Sequence, residues 1–503
     1  MKSITKAVFT LTAFTFAERL LGFLFKIYLS REIGAVGMGI YSVALSFFFV
    51  LMTLLTSGVP LVVSKLTATG KTDRGALCSA ALIFELIVAI VISALVLIFQ
   101  KPIGSLFAEP ASMTLVVIML PALVFSGVYS AFRGVLWGEK RFTAVSLVEL
   151  IEQIARITCC IVLFCLFGSH TNAVAASMSV ACLVSAAACA LFWFCGKRGH
   201  RLKSPKNMFR PLISTSVPIT LSRTTSSINN YIIAIAMPFL LMSSGLNAEQ
   251  SMYVFGSCVG MALPLLYLPI TVVGSLAFVM IPTLSEAYAA GDKKSMRRQI
   301  ETALSFSIIV AAIILPAYIA LGAPLGTFIY NNSDAGIFLK KSAWLLLPLS
   351  FENIASSMLN SLDLEKKSLI NYLIGAGAMY VVCFSFYSRF DMDVFMAAFG
   401  GSLVLSSLLD IIDIKRRTGF KLTFFKPLFI CLAAAYPSWL FTEYVYSIIP
   451  GSVLPIITAG IGGVCFAALF AVIFGAVEFD INISPRGKHR RKRLLSKKKK
   501  ALS

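Results

Sequence analysis

The first apolar stretch of this 503-residue chain carries charges that a bilayer would be expected to exclude. Between Phe16 and Tyr41 it reads FAERLLGFLFKIYLSREIGAVGMGIY, with Glu18, Arg19 and Lys26 inside a segment otherwise apolar enough to cross. A charged side chain at mid-membrane costs roughly 3 kcal/mol or more and persists mainly where it faces a water-filled cavity or a partner. Thr12, Thr15, Arg19, Gly22 and Lys26 follow at spacings of 3, 4, 3 and 4, one stripe of a helix. With a span expected over 6–28, Arg19 falls near the midplane at ~1.5 Å of rise per residue. Lys26 lies nearer the far end, where its stem can carry the ammonium to the interface. Glu18 points about a quarter turn from Arg19. Arg19 can either hold an anionic ligand or pair with an acid such as Glu85 or Glu149.

A second polar helix starts near Pro211. Ser214, Thr215, Ser216, Thr220, Ser222, Arg223, Thr224, Ser226, Ser227, Asn229 and Asn230 crowd one expected span, 212–242. A lipid-facing helix would not carry this density of hydroxyls and amides. Arg223 is again near mid-depth. Two midplane guanidiniums facing one cleft would suit a phosphate-bearing ligand, which they can grip bidentately. Glu18, Lys26, Ser222 and Asn230 are expected to accompany Arg19 and Arg223 in that central cavity.

In the expected fifth span Glu149, Glu152 and Arg156 share a face, Glu152 and Arg156 at i,i+4. An internally neutralised structural pair is one reading; with Glu85, a proton or cation relay is the other. Arg133 reads as interfacial, and Asp410 and Asp413 read as partners of nearby Lys415 and Arg416. Glu352 and Glu443 stand alone.

No enzyme chemistry is visible. Gly70-Lys71-Thr72 resembles the end of a phosphate loop, but Lys65 stands where the first glycine is required, and no strand precedes it. The three histidines are expected in loops or the tail, and the 11 cysteines have neither metal nor disulfide spacing, so no metal site or cofactor is expected. Energy would come from an H+ or Na+ gradient, the membrane potential or the substrate's own gradient.

The elements that position these residues are membrane spans. Mean hydropathy is +0.86, 58% of residues are hydrophobic, and only 13% are charged. Apolar runs of about 20 residues recur along the chain, each able to cross a ~30 Å core as a helix. Fourteen spans are expected: 6–28, 40–64, 77–99, 112–137, 146–168, 173–195, 212–242, 251–281, 301–322, 338–360, 369–388, 394–413, 427–447 and 452–477. The first is too long and too charged for a cleaved signal peptide. Prolines are expected to break span seven (Pro218, Pro238) and span eight (Pro264, Pro269, Pro282).

With the N-terminus inside, 34 of the 44 Lys and Arg fall in inside loops and the tail. Five fall outside: Arg31, Lys101, Lys340, Lys341 and Arg389. This bias places both termini in the cytoplasm. The net charge of +21 therefore reflects topology and not nucleic-acid binding. The tail RGKHRRKRLLSKKKK, from Arg486, suits anionic lipid.

Ser64–Lys71 after span two matches Ser285–Lys293 after span eight, at an offset of 221. Gly138-Glu139-Lys140-Arg141 matches Leu364-Glu365-Lys366-Lys367, and Gly196-Lys197-Arg198-Gly199 matches Lys415–Gly419, at similar offsets. Six spans per repeat gives parallel halves with the substrate path between them. The expected division is an N-terminal lobe (1–196), a basic linker (197–211), a C-terminal lobe (212–416), two further helices (417–478) and a polybasic tail (479–503).

Several segments resemble stage V sporulation protein B-type flippases of the multidrug/oligosaccharidyl-lipid/polysaccharide exporter superfamily, relatives of MurJ-type lipid II flippases. They are Arg19–Phe23, Ser30–Tyr41, Gly58-Val59-Pro60 with Ser64-Lys65, Arg133-Gly134 with Gly138, and Glu152–Ile157. Val217-Pro218 with Ser222-Arg223, Ile281–Glu286, and Leu359-Asn360 with Asn371 continue the likeness. The resemblance implies an all-α polytopic protein with two six-helix lobes in a V and alternating access. It implies movement of an undecaprenyl-pyrophosphate-linked oligosaccharide, such as a peptidoglycan precursor, from the inner to the outer leaflet. By the same resemblance Arg19 matches a cavity-lining arginine, while Phe25 stands where the MurJ type has its second basic residue and Lys26 follows the sporulation type. A cation-coupled small-molecule exporter of the same fold is the alternative. A bacterial cell-membrane monomer, with lipid-linked sugar and anionic lipid as partners, completes the expectation.

Overall fold

The computed structural model describes residues 2–69, 72–168, 170–195, 201–205, 207–419 and 425–475. The polybasic tail and residues 197–200 and 206 of the expected linker lie outside the described residues. All the regular structure described is helical, as a bilayer demands of a chain that must satisfy its own backbone. The helices are α1 (Lys2–Thr56), α2 (Val59–Ala68), α3 (Arg74–Ile98), α4 (Gln100–Gly104), α5 (Ala111–Gly138), α6 (Phe142–Phe167) and α7 (Thr171–Phe194). Then come α8 (Phe209–Ser243), α9 (Ala248–Phe255), α10 (Leu263–Tyr267), α11 (Ile270–Ala289), α12 (Lys293–Tyr330) and α13 (Ser333–Ser342). The last are α14 (Leu346–Ser361), α15 (Glu365–Ser385), α16 (Met392–Thr418), α17 (Phe425–Ile448) and α18 (Leu454–Ile473).

Eleven stretches among the described residues are long and apolar enough to cross a membrane. The first of these, Phe16–Ala68, holds two of the expected fourteen spans. Two more are missed by that measure because they are segmented. Span eight is α9, a π-helical stretch (Gly256–Ala262), α10 and α11; span ten is α13, a short turn and α14. The chain is a multi-pass, all-α membrane protein of about fourteen spans.

Two expectations about local structure change. The stretch leaving span one is helical, not a loop: α1 continues through it and breaks only at Gly34 (φ 66°, ψ −175°). Fifty-five residues at ~1.5 Å each would far exceed a bilayer, so one glycine in the left-handed region separates two passes. Span seven is not broken: α8 runs unbroken through Pro218 and Pro238. Neighbouring helices and hydroxyl side chains can satisfy the carbonyls that each ring frees.

The second limb of α1 lies antiparallel along α8. Phe47 stacks near Tyr231 with ring centroids 5.0 Å apart, Thr53 and Ser227 share a hydrogen bond of 2.9 Å, and Gly58 meets the backbone of Ser216. At the Gly34 end the limb packs backbone to backbone on the π-helical stretch: a Cβ on Gly256 would overlap the Ala35 carbonyl oxygen. Arg31 closes the same end, its guanidinium donating to the carbonyls of Phe328 and, at 2.7 Å, Ile329. At the other end, the Asp73 carboxylate caps α3 by accepting from Gly75 N and Ala76 N, and accepts from Lys203 of the linker at 2.7 Å. The Lys203 hydrogen bond holds the Asp73 carboxyl below its ordinary value, so this clamp is present above about 3.8 and fails as pH falls through the lower folded value.

Three large buried apolar clusters hold the bundle, and a small one around Ala312, Cys431 and Ala471 joins α12, α17 and α18. One, with Phe48, Met119, Met261 and Phe338, joins α1, α5, the π-helical stretch and α13. A second joins α2, α3, α5, α6 and α7 around Trp193, whose ring meets Phe132 at 5.4 Å. The third, with Leu304 and Leu359, joins α11, α12, α14 and α16. α17 and α18 pack on each other and on α12. Ile87, Ile90 and Ile98 of α3 and Ile461, Leu469 and Ile473 of α18 are exposed, the pattern of a protein whose outer solvent is hydrocarbon.

Two outcomes are expected. Gly256→Val should part the second limb of α1 from the π-helical stretch, since nothing there can yield but backbone. Disulfide cross-linking between Cys substitutions at Met38 and Gly260, where a Gly260 Cβ would sit 3.1 Å from Met38 Cβ, should fall while helical circular dichroism is unchanged. Asp73→Asn should loosen the linker, read as faster tryptic cleavage after Arg201.

Candidate functional site

Helical phase separates the two neighbours that open the charged stretch. Glu18 lines a cavity of about 330 Å³ bordered by α1, α2, α5, α6 and α7, together with Arg133, Glu149, Glu152 and Arg156. Gly22, one turn on, faces the same way: a Cβ there would lie 3.8 Å from Gln153 Nε2. Arg19, about 100° around the helix, is exposed and does not line that cavity. Expected as one constellation, Glu18 and Arg19 thus face different surroundings.

Arg19 makes no ion pair among the described residues. The acids weighed as its partners are engaged elsewhere. Glu85, fully buried on α3, accepts from Ser130 Oγ at 2.8 Å. Glu149 takes Arg133 Nη2 at 2.7 Å and Tyr129 OH at 3.3 Å. Arg133 is therefore not simply interfacial; its guanidinium also lies over the Trp137 ring, 4.2 Å from the centroid. Glu152 and Arg156 form the expected i,i+4 pair at 2.9 Å.

The cavity is thus lined by three carboxyls and two guanidiniums, with a fourth carboxyl, Glu85, behind Ser130. Several of its polar atoms lack partners: Arg133 Nε, Arg156 Nε and Glu85 Oε2 are buried with no hydrogen bond. In low dielectric, unmatched groups like these are costly, and a small cation or a proton could balance the odd carboxyl. The arrangement can exchange charge.

The other expected residues are dispersed along their helices. Arg223 and Asn230 are exposed on α8, and Lys26 is half-buried on α1. The side chains of Thr12, Thr15 and Ser222 lie outside those described.

A second polar network went unread in the sequence. Asn229 on α8 donates to Tyr372 OH at 2.7 Å and accepts from Tyr380 OH at 2.7 Å. Asn371 on α15 donates to Asp410 at 2.8 Å and Asp413 at 3.2 Å. Lys367 pairs with Asp413 at 2.7 Å, so Asp413 is served from α15 and not from its own helix end. Asp410 is buried with an amide and no cation. Glu352 is half-buried on α14, which packs against α16. The signal that could have found this network is Asn371 and Asp410, polar side chains within adjacent expected spans; the tyrosines gave no warning.

Comparison with known proteins agrees with this architecture. The chain is 26% identical over 432 residues to Stage V sporulation protein B of Bacillus subtilis (strain 168), covering 81% of this chain and 83% of that one. Its fold matches a solved lipid II flippase MurJ in an inward closed conformation, with a TM-score of 0.70 at 15% identity over 93% of this chain and 98% of that one. It also matches an inward-facing multidrug resistance MATE family transporter of the MOP superfamily, with a TM-score of 0.62 at 18% identity over 80% and 96%. These proteins are named as a sporulation protein, a flippase and a transporter, not as enzymes. The family described as "Polysaccharide biosynthesis protein" matches residues 4–288, more than half of the chain, and the chain belongs to that family.

Proposed function

We propose that this protein is a flippase for an undecaprenyl-pyrophosphate-linked oligosaccharide, a peptidoglycan precursor such as lipid II, carried from the inner to the outer leaflet by alternating access. One observation carries the reading: Arg19, expected near mid-depth from its place in span one, stands exposed on α1 with no acidic partner among the described residues. A guanidinium left unneutralised at that depth is best accounted for by an anionic ligand. The fold shared with a lipid II flippase and the likeness to a sporulation protein support this substrate class. In this proposal Arg19 and Arg223 hold the pyrophosphate, with Lys26, Ser222 and Asn230 nearby. Glu18 belongs with the coupling group.

Coupling is assigned to the cavity between α1, α2, α5, α6 and α7. Glu18, Glu149, Glu152 and Glu85 supply carboxyls there, and Arg133 and Arg156 hold part of their charge. H+ or Na+ would enter as the balancing cation. The two lobes of six helices would rock about this arrangement, with residues 197–211 as linker. The Lys and Arg bias supports cytoplasmic termini in a bacterial cell membrane, the tail resting on anionic lipid, and a monomer suffices. The second reading, a cation-coupled multidrug exporter, is favoured by the carboxyl-lined cavity and the MATE-like fold.

Reconstituted vesicles separate them. Each of Arg19→Ala and Arg223→Ala should slow lipid II translocation by on the order of 10–100-fold, at roughly 1.5–3 kcal/mol per charge-assisted contact. Unchanged translocation by the double variant would sink the flippase reading, and gradient-driven efflux of a cationic dye by that variant would favour the exporter. Glu85→Gln keeps the shape and the acceptor for Ser130. It should leave folding intact and remove the dependence of transport on an imposed pH or Na+ gradient.

A further inference from the structure

Among the five cations expected outside, Lys340 and Lys341 are adjacent, and neither has a part in the function proposed above. They close α13, a ten-residue helix whose start is capped by Asn332 Oδ1 accepting from Ala335 N at 2.8 Å. α13 folds back on the end of α12 through glycines: a Cβ on Gly326 would overlap the Gly336 backbone, and one on Gly322 would lie 2.8 Å from Lys340 Cβ. With backbones this close, the side chains beside the crossing stand clear of each other. They border an open groove of about 560 Å³ lined by Ile319, Ala323, Ile337, Lys340, Lys341 and Trp344. The indole of Trp344 is lodged against Gly400 of α16, where any Cβ would overlap it, so that wall is fixed.

The depth of the groove follows from α12. The one charge between Glu301 and Lys340 is Asp334, in the first turn of α13, and the apolar run from Ala303 to Ala323 spans ~30 Å as helix, one hydrocarbon thickness. The groove therefore sits where the core gives way to headgroups, the level favoured by Trp and by the charged ends of Lys. Its two cations are not equivalent. Lys341 Nζ is bound to both oxygens of Asp393, at 2.7 and 3.0 Å. Lys340 is exposed and has no acidic partner among the described residues. The groove thus offers apolar walls at the interface and one net positive charge.

We propose that this groove binds a monoanionic phospholipid from the leaflet at the Gly34 end of the bundle. Lys340 holds its phosphodiester, and its acyl chain lies along Ile319, Ala323, Ile337 and Trp344. One uncompensated cation matches a single phosphodiester better than a pyrophosphate, so the occupant is a structural lipid such as phosphatidylglycerol and not the transported lipid. This holds whichever substrate the central cavity takes.

The full chain, reconstituted in bilayers with trace photoactivatable phosphatidylglycerol or phosphatidylcholine, tests it by mapping cross-linked peptides. Labelling of 333–346 should favour phosphatidylglycerol by about fivefold, from a single lysine near a phosphate. Lys340→Gln should abolish that preference and Lys340→Arg should keep it, with unchanged thermal unfolding of both showing that the fold is intact. Equal labelling by the two phospholipids, or a preference unaffected by Lys340→Gln, would overturn the proposal. So would stronger labelling by a photoactivatable polyprenyl pyrophosphate.

Discussion

The hydrocarbon core offers no water to solvate a charge, and the placement of every charged side chain at depth in this protein follows from that scarcity. Four answers are visible. Arg133 and Arg156 are matched to carboxylates within one cavity. Glu85 and Asp410 are buried against a hydroxyl and an amide. Lys341 and Lys367 sit towards helix ends, where an aspartate meets each. Arg19 stands exposed on α1 without an acidic partner among the described residues. The fold thus neutralises Arg133 and Arg156 and leaves Arg19 without an acidic partner among the described residues.

The same scarcity governs the backbone. Where α1 meets the π-helical stretch, glycines bring main chains into contact without side chains between them. Such seams gain dispersion at close range without a hydrophobic term, because lipid tails are as apolar as leucine. They also part without exposing large side chains. The seam between α1 and α8 combines small residues, one hydroxyl pair and one aromatic pair, a light set of contacts.

Much was legible in sequence because a membrane span is a local property. Hydropathy over about 20 residues located spans whose ends in places fall close to the helices observed, such as Ala111–Gly138 for 112–137, and elsewhere fall well inside them, such as 301–322 within Lys293–Tyr330. The i,i+4 pair of Glu152 and Arg156 was equally local. The errors were also local, and physical. The loop expected around Gly34 reads as turn-forming, yet one positive φ was enough to separate two passes. The prolines of α8 look helix-breaking, yet neighbouring helices absorb them.

What sequence by itself determined was which residues must be explained: charges at depth, a polar seventh span, a cation-rich set of loops and an all-helical multi-pass fold. Which of those charges belong together was decided only by tertiary structure. Arg133 reaches Glu149 across α5 and α6, Asn371 reaches Asp410 across α15 and α16, and Glu18 turns towards the first of these groups and away from its neighbour Arg19. The reason is geometric. Helical spacing specifies the direction of a side chain around its own axis, but the identity of the surface it meets depends on how separate helices pack, and no single helix carries that information.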